Sequence, residues 1–313
     1  MTEVKQIPQF DNEAILEGVV TECDIAKKEF NGKDGKYFAL SGNIVIQTAE
    51  NETHKAQYFV KELKKDGDVN GIYTNVETVL NELVTVQDIA QGKAPEGSVA
   101  SKVRVRGELS LNEYYGQDGK LRSFPQVKGV FLNRVKDEAE YNPKATFDVE
   151  GIVKSVKAEF KDEEETGRQK VELLIPTYSG AIPVDFISRA EDGEYIADNF
   201  EPATSVNLYG NMINFSKKIV RLEEKGFGDA KEKVTYENTR ELQISGGSVY
   251  DEDSPKSLEV EQIQELQTKR NVYLAELESK QAEKDKKEEK PQGFGASTPN
   301  KKTVDKSIVA GLF

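Results

Sequence analysis

Aromatic and basic side chains share one face of a predicted strand in the first half of the chain. In the segment 54–61, Lys55, Phe59 and Lys61 fall on the same side, because successive residues of a strand point to opposite faces. A single nucleic-acid strand is held by cations that follow its phosphates and by rings that stack on its bases, each stack contributing about 1–3 kcal/mol. The pattern therefore predicts a surface for single-stranded nucleic acid.

The same combination recurs in a strand at 37–48 and in a hairpin at 102–136. The hairpin holds eight Lys and Arg against three Asp and Glu, in a chain whose net charge is −13. The alternatives are a solvated strand face without a ligand and, for each ring, packing in the core or hairpin. The predicted stacking residues are Tyr37, Phe59, Tyr114, Tyr115 and Phe124, and the predicted phosphate-binding residues are Lys55, Lys61, Arg104, Arg106, Lys120 and Arg122.

Residues suited to catalysis are scarce. The one histidine, His54, is expected at the surface, and the sequence around it does not support a catalytic triad. The one cysteine, Cys23, is expected to be a small strand residue, and a lone cysteine favours a reducing compartment. The sequence has no phosphate-binding glycine-lysine loop, dinucleotide motif or Cys/His zinc cluster. We predict a non-enzymatic protein that uses no cofactor and no metal.

A strand containing one glycine occurs in two pairs along the chain. Residues 16–20 read LEGVV and residues 149–153 read VEGIV, while residues 103–107 read VRVRG and residues 206–210 read VNLYG. Glycine inside a strand marks a bulge or a bend, which lets a sheet curl and close. The repeat predicts two small barrels in tandem.

The predicted order in the first copy is strand, strand, strand, helix, strand, strand. The strands lie at 13–27, 37–48, 54–61, 102–114 and 120–136, with Phe38 facing the core and a helix at 75–91 capped by Asn75. This order describes the five-stranded OB-fold. The second copy has strands near 146–160, 168–178, 181–188, 204–224 and 231–246. We predict a mostly β protein with two tandem OB-fold-like five-stranded barrels, followed by a C-terminal helix and a flexible tail.

Four segments are expected along the chain. Residues 1–140 form the first barrel, the main nucleic-acid-binding candidate, and residues 141–250 form the second. A helix follows at 251–290, starting at Asp251. Its apolar stripe is expected to pack on a barrel rather than pair as a coiled coil, because the stripe is short and Arg270 interrupts it. Residues 291–313 form a flexible tail with an apolar tip. No apolar run approaches the ~20 residues of a membrane span, so we expect a cytoplasmic protein without a membrane partner.

These features resemble single-stranded DNA-binding proteins of bacteriophage type, built from OB-fold modules. The repeated glycine strands and the hairpin segments 107–114 and 131–134 carry the resemblance. It implies a coat for single strands during phage DNA replication and recombination, with oligomers possible on DNA. Leu312 and Phe313 resemble the apolar tip with which bacterial relatives dock replication enzymes, but the usual acidic run before the tip is missing. A short helix formed on binding, or an end without a role, are the alternatives.

Two other functions stay open at this point. A phage virion or assembly protein could use OB-like barrels as structural connectors, and an acidic surface with tandem barrels suits that role. A single-stranded RNA binder would use the same stacking and phosphate contacts.

Overall fold

Strands dominate the part of the chain that the computed structural model describes, which comprises residues 6–32, 35–116, 118–223, 227 and 231–288. The first half contains β1 (Asn12–Cys23), β2 (Ala26–Gly32), β3 (Gly35–Ala49), β4 (Glu52–Lys61), α1 (Gly71–Asn81), α2 (Val86–Ala90), β5 (Lys102–Tyr115) and β6 (Leu121–Arg134). The second half contains β7 (Lys144–Lys161), β8 (Glu164–Thr177), β9 (Gly180–Ile187), α3 (Gly193–Asn199), β10 (Ser205–Glu223), β11 (Lys231–Val249) and α4 (Val260–Glu288). Short 3₁₀ turns precede β7 and α3.

Strand pairing closes a ring in each half of the chain. In the first circuit, β1 pairs with β3, β3 with β4, β4 in parallel with β6, β6 with β5, and β5 with β1. In the second circuit, β7, β8, β9, β11 and β10 pair in the corresponding order. Both orders are those of the OB-fold. The mostly β prediction with OB-type modules and a C-terminal helix is confirmed.

The repeated glycines lie where the strands bend. A register shift lies directly at Gly107 and Gly210, and one begins two residues after Gly18 and Gly151. A Cβ on Gly18 would lie 2.1 Å from the Gln47 carbonyl oxygen, and one on Gly210 would lie 2.0 Å from that of Gln243. Glycine is therefore required because the neighbouring backbone occupies the space of a side chain.

The two circuits are joined by direct pairing of β1 with β7. Asn12 lies opposite Val149 and Leu16 opposite Ala145, in antiparallel register. Leu16 and Val149 are equivalent in the sequence repeat, as are Asn12 and Ala145, so exchanging the copies leaves this register unchanged. The join therefore has pseudo-two-fold symmetry. The predicted division at residue 140 stays a prediction, since one sheet runs across it.

A buried glutamate precedes the glycine in each copy of the repeat. Glu17 accepts hydrogen bonds from Arg104 Nε at 2.7 Å and from the backbone N–H of Asn142 at 2.8 Å. Glu150 accepts from the N–H of Asp11 at 2.7 Å. Each carboxylate thus fixes the segment that enters the first strand of the other circuit.

The C-terminal segment completes the surroundings of Glu150. The Tyr250 hydroxyl and the Lys256 ammonium group both bond to the carboxylate. Burial opposes ionisation of Glu150, but the hydrogen bonds from Lys256, Tyr250 and Asp11 outweigh it and hold its pKa below the ordinary value. Burial, together with the bond to Glu150, raises the pKa of Tyr250 to about 12. The carboxylate is therefore charged and the phenol neutral at neutral pH.

The predicted helix at 75–91 is wrong in its bounds. Helix α1 is capped by Asn70, whose side chain accepts from the N–H of Ile72, while Asn75 lies within the helix and accepts from the N–H of Leu132. The segment between α1 and α2 stays extended because residues 84 and 101 bond to each other through both backbone and side chain. Thr85 then caps α2.

Two residues of the first circuit lie elsewhere than the sequence predicts. Phe38 is 44% exposed, because this part of β3 pairs with β2 in a hairpin whose residues are mostly exposed. His54 is buried rather than at the surface, next to Glu52, where β10 crosses onto β4. Burial lowers the pKa of His54, with Arg240 acting in the same direction and Glu52 opposing.

Helix α4 begins at Val260 rather than at Asp251, because the preceding residues are held in turns. Lys256 reaches Glu150, and Leu258 packs against Phe10 and Leu266 in a small apolar cluster. The stripe of α4 packs on the second circuit through Leu266, as predicted. The larger apolar cluster fills the interior of both circuits.

We expect Gly18→Ala to destabilise the protein by about 3 kcal/mol, because its methyl group displaces the backbone of β3. The control is Gly71→Ala, at the start of α1, where no atom lies within 4 Å of a Cβ. That change should be neutral or stabilise by up to ~1 kcal/mol. Urea unfolding measures both, and equal effects of the two substitutions would contradict the close-approach explanation.

Glu150→Gln should lower the free energy of unfolding at pH 7 by about 1–3 kcal/mol, because Lys256 loses its charged partner. The folded-state pKa of Glu150 lies below the ordinary value, so the stability from its charge is present above pH 4.5 and is lost as the pH falls below it. The difference in the free energy of unfolding between the wild type and Glu150→Gln should become smaller as the pH falls. Urea unfolding at several pH values tests this, and a gap independent of pH would count against the charged carboxylate.

Candidate nucleic-acid interface

Strand β4 presents an alternating polar and apolar pattern that the sequence predicts correctly. Lys55, Gln57, Phe59 and Lys61 are exposed, whereas the intervening residues 54, 56, 58 and 60 are buried. The alternation follows from the pleat, since one face of β4 covers the interior of the first circuit. A phenylalanine is thereby held on the outer face with a lysine two residues to one side.

Phe59 belongs to a group of three rings that we call the ring cluster: Phe30, Tyr37 and Phe59. The Phe30 ring lies 5.7 Å from Tyr37 in a stacked arrangement and 5.1 Å from Phe59 edge to face. The Lys61 ammonium group lies 4.5 Å from the Tyr37 ring centroid. Phe59 is 45% exposed, so the cluster combines solvent-accessible ring surface with a cation. This arrangement can stack on a base while the ammonium group meets a phosphate.

A second pair of rings lies on the β5–β6 hairpin. Tyr114 and Phe124 are 42% and 47% exposed, and their ring centroids lie 6.4 Å apart in a stacked arrangement. They sit on neighbouring strands at a diagonal, because Tyr114 is opposite Arg122 and Phe124 is opposite Asn112. In the OB-fold, the loop between strands 4 and 5 and the loop between strands 1 and 2 flank the binding face. Here the first of these is the β5–β6 hairpin, and the second is the segment between β1 and β3 that contains β2.

The predicted cations divide into paired and unpaired groups. Arg104 bonds to the fully buried Glu17, and Arg106 donates to Glu13 with Nε at 2.9 Å. The hydrogen bond to Glu17 raises the pKa of Arg104. A role for both arginines in phosphate binding stays a prediction, and their carboxylate partners compete with it.

The remaining cations are more available to a ligand. Lys55, Lys61 and Lys120 are exposed and form no ion pair with another described residue. Arg122 is exposed and lies 3.6 Å from Asp118, a pair that solvent weakens. Tyr115, half-buried at the end of β5, adds ring surface on the same hairpin as Lys120 and Arg122.

A groove of about 700 Å³ separates β4 and β6 from the second circuit. Lys55, Gln57 and Phe124 line its first-circuit side, and Lys170 and Arg240 lie on the other. The structure thus brings Lys55 and Phe124, which are far apart in sequence, to one surface. Polar amides complete the lining, contributed by Asn112, Gln126 and Asn214.

The second circuit offers rings with fewer available cations. Tyr178 and Phe227 are almost fully exposed. Arg168 pairs with Glu241 at 2.8 Å, and Lys170 pairs with Asp185 at 2.9 Å. The long β10–β11 hairpin also carries exposed basic and aromatic side chains, among them Lys217, Lys218, Arg221 and Tyr236.

Sequence reasoning missed Phe30 and Arg240. Strand β2 was not predicted, so Phe30 had no expected partner, although its place opposite Tyr37 puts both rings on one face. Arg240 becomes part of the groove because its neighbour on β10, Asn214, bonds to Thr53 of β4. Leu312 and Phe313 lie outside the described residues, as does the rest of the predicted tail, and their docking role stays a prediction.

Among the described residues, no group of three or more His, Cys, Asp or Glu side chains is placed to hold a metal ion. No described helix is both long and apolar enough to span a membrane.

The pairing order of both circuits defines the chain as a β protein of OB type. A family model described as YorF matches residues 11–288, and the chain therefore belongs to the YorF family. No curated protein matches the sequence.

Two solved structures are similar to this chain, both of the single-stranded DNA-binding protein from Thermus aquaticus. A deletion mutant is 11% identical with a TM-score of 0.45, and the alignment covers 80% of this chain and 99% of that one. The wild-type form is 10% identical with a TM-score of 0.44, covering 78% and 95%.

We expect Phe59→Ala to change the free energy of unfolding by only about 1 kcal/mol, because the ring is exposed and loses one edge-to-face contact. Tyr58→Ala, at the next position, removes a fully buried ring and should cost about 3–5 kcal/mol. Urea unfolding of the two variants measures the difference. A large loss of stability in Phe59→Ala would place that ring among the structural residues.

Proposed function

We propose that this chain binds single-stranded DNA without sequence preference, with the outer face of the first circuit as its main contact. The observation that carries the proposal is the ring cluster beside Lys61, on the face that OB-folds use for oligonucleotides. Phe59 lies between the buried residues Tyr58 and Val60 of β4, so the strand pleat fixes the exposure of its ring.

The charge distribution supports the same assignment. Most arginines on the outer faces are held by carboxylates, whereas Lys55, Lys61 and Lys120 have no such partner among the described residues. On a chain of net charge −13, such cations give a directed site for an anion while the body repels non-specific polyanions.

The groove extends this surface towards the second circuit. Phe124 and Lys55 line it on one side and Arg240 on the other, so a strand leaving the ring cluster has a polar path between the circuits. We propose that the chain coats exposed strands in DNA replication and recombination, in a phage setting and in the cytoplasm. The tail residues Leu312 and Phe313 are the proposed contact with replication or recombination proteins.

The first test is a fluorescence-anisotropy titration with labelled oligo-dT of about 30 nucleotides, a length set by ~4–16 nucleotides per OB-fold. Affinity should fall as salt rises, with a log–log slope near −0.7 per phosphate contact. Lys61→Ala should make that slope less negative by about 0.7, the contribution of one phosphate contact. Absence of binding at low salt, or equal binding of duplex, would refute the proposal, and a matched oligo-rU separates DNA from RNA preference.

Phe59→Ala should weaken oligo-dT binding by about five- to a hundredfold, because one base loses its stacking partner. Tyr195→Ala is the matched control, since that ring is also exposed but lies on α3 of the second circuit. Anisotropy titrations of both variants, each first shown to be folded, decide the point. Equal affinities would remove Phe59 from the proposed contact set.

A further inference from the structure

The outer part of the β5–β6 hairpin has little support from the first circuit. Pairing of β5 with β1 ends at Gly107, the Asn12 side chain bonds to the backbone of Leu109, and β6 pairs with β4 only at Val127 and Lys128. Beyond these positions, up to Tyr115 and Leu121, the two strands pair only with each other among the described strands. A two-stranded ribbon is marginally stable in water. Yet this ribbon carries Tyr114 and Phe124.

Helix α4 supplies the missing support through one ion pair. The two terminal nitrogens of the Arg270 guanidinium group, Nη1 and Nη2, donate to the Glu113 carboxylate, with Nη1 to Oε2 at 2.7 Å. The Glu113 side chain is 2% exposed and that of Arg270 is 11% exposed. Bidentate geometry and burial make this contact stronger than a surface pair.

The helix that carries Arg270 is itself fixed on the second circuit. Leu266, one turn earlier, is buried in the cluster with Ile152 and Leu174. A Cβ at Gly180, in the β8–β9 turn, would lie 2.5 Å from the Arg270 backbone nitrogen. The helix therefore lies directly on this turn, and its position there determines where the guanidinium group meets the hairpin.

The alternation of side chains along β5 places the Arg270–Glu113 ion pair and the rings on opposite faces of the hairpin. Glu113 and Tyr114 are successive residues, so their side chains point to opposite faces of the hairpin. Accordingly, the carboxylate is buried against α4 while the Tyr114 ring is exposed beside Phe124.

We propose that Arg270 is a positioning residue: through Glu113 it holds the outer β5–β6 hairpin so that Tyr114 and Phe124 face the bound strand. This inference rests on the proposed function. It makes α4, which packs on the second circuit, part of the nucleic-acid interface of the first circuit.

The position of the hairpin is tested first without DNA. The chain has no tryptophan, so Phe124→Trp gives a single reporter on the ribbon. Adding Arg270→Ala should increase the local motion of that indole in time-resolved anisotropy. Adding Lys269→Ala, which breaks only the exposed ion pair with Glu265 within α4, should leave it unchanged. If the indole moves equally in the Phe124→Trp protein with and without Arg270→Ala, the positioning role of Arg270 is refuted, whether or not the protein binds DNA.

The second test uses oligo-dT affinity in a double-mutant cycle. Arg270→Ala should weaken binding by about three- to tenfold, a fraction of the effect of losing the stacks themselves. It should have no further effect when Tyr114 and Phe124 are both replaced by alanine, and should act independently of Phe59→Ala. Arg270→Lys should restore binding only in part, because an ammonium group cannot make the bidentate contact. If Arg270→Ala weakens oligo-dT binding equally when both rings are absent, Arg270 has a merely structural role and the inference is refuted. If the wild-type protein does not bind oligo-dT, the proposed function is refuted instead.

Discussion

Two buried carboxylates at equivalent places organise the molecule. Burying a charge is unfavourable unless hydrogen bonds and an opposite charge compensate it, so each carboxylate dictates what surrounds it. Glu17 binds Arg104 and the backbone entering β7, while Glu150 binds the backbone entering β1 together with Lys256. The β1–β7 join, the path of the N-terminal residues and the docking of the C-terminal segment all converge on these two side chains. Each is followed directly by the glycine at which its strand bends, which places the electrostatic anchor and the backbone bend side by side.

Much of the fold follows from local sequence patterns. Apolar alternation in β4 reflects the burial of one strand face, and the repeated glycines reflect the close approach of a neighbouring backbone. Both are needed in each circuit of the fold, so these patterns predict the OB-type strands. The split between α1 and α2 could not be predicted, since it depends on hydrogen bonds to Ser101, which lies beyond both helices. Strand β2 was missed because most of its residues are exposed and therefore lack apolar alternation.

The candidate site was predictable in its residue types but not in its electrostatics. Phe59 and Lys61 follow from the strand period alone. The neutralisation of Arg104 involves a partner 87 residues away, for which the sequence carries no local signal. In an acidic protein many cations find such partners, and the proposed contact surface consists of those left unpaired among the described residues. Which lysines remain is therefore a property of the whole fold rather than of any motif.

The symmetry of the β1–β7 join has an evolutionary consequence. When two identical chains associate through a two-fold axis, every substitution appears on both sides of the interface. Here both halves belong to one polypeptide, so each side can change alone. Arg104 and Asn207 occupy the same place in the repeat, yet one is locked to a buried carboxylate and the other bonds to Asp148 at the sheet surface. Covalent linkage has thus released the two modules from identity: the first carries the ring cluster, and the second carries the C-terminal helix.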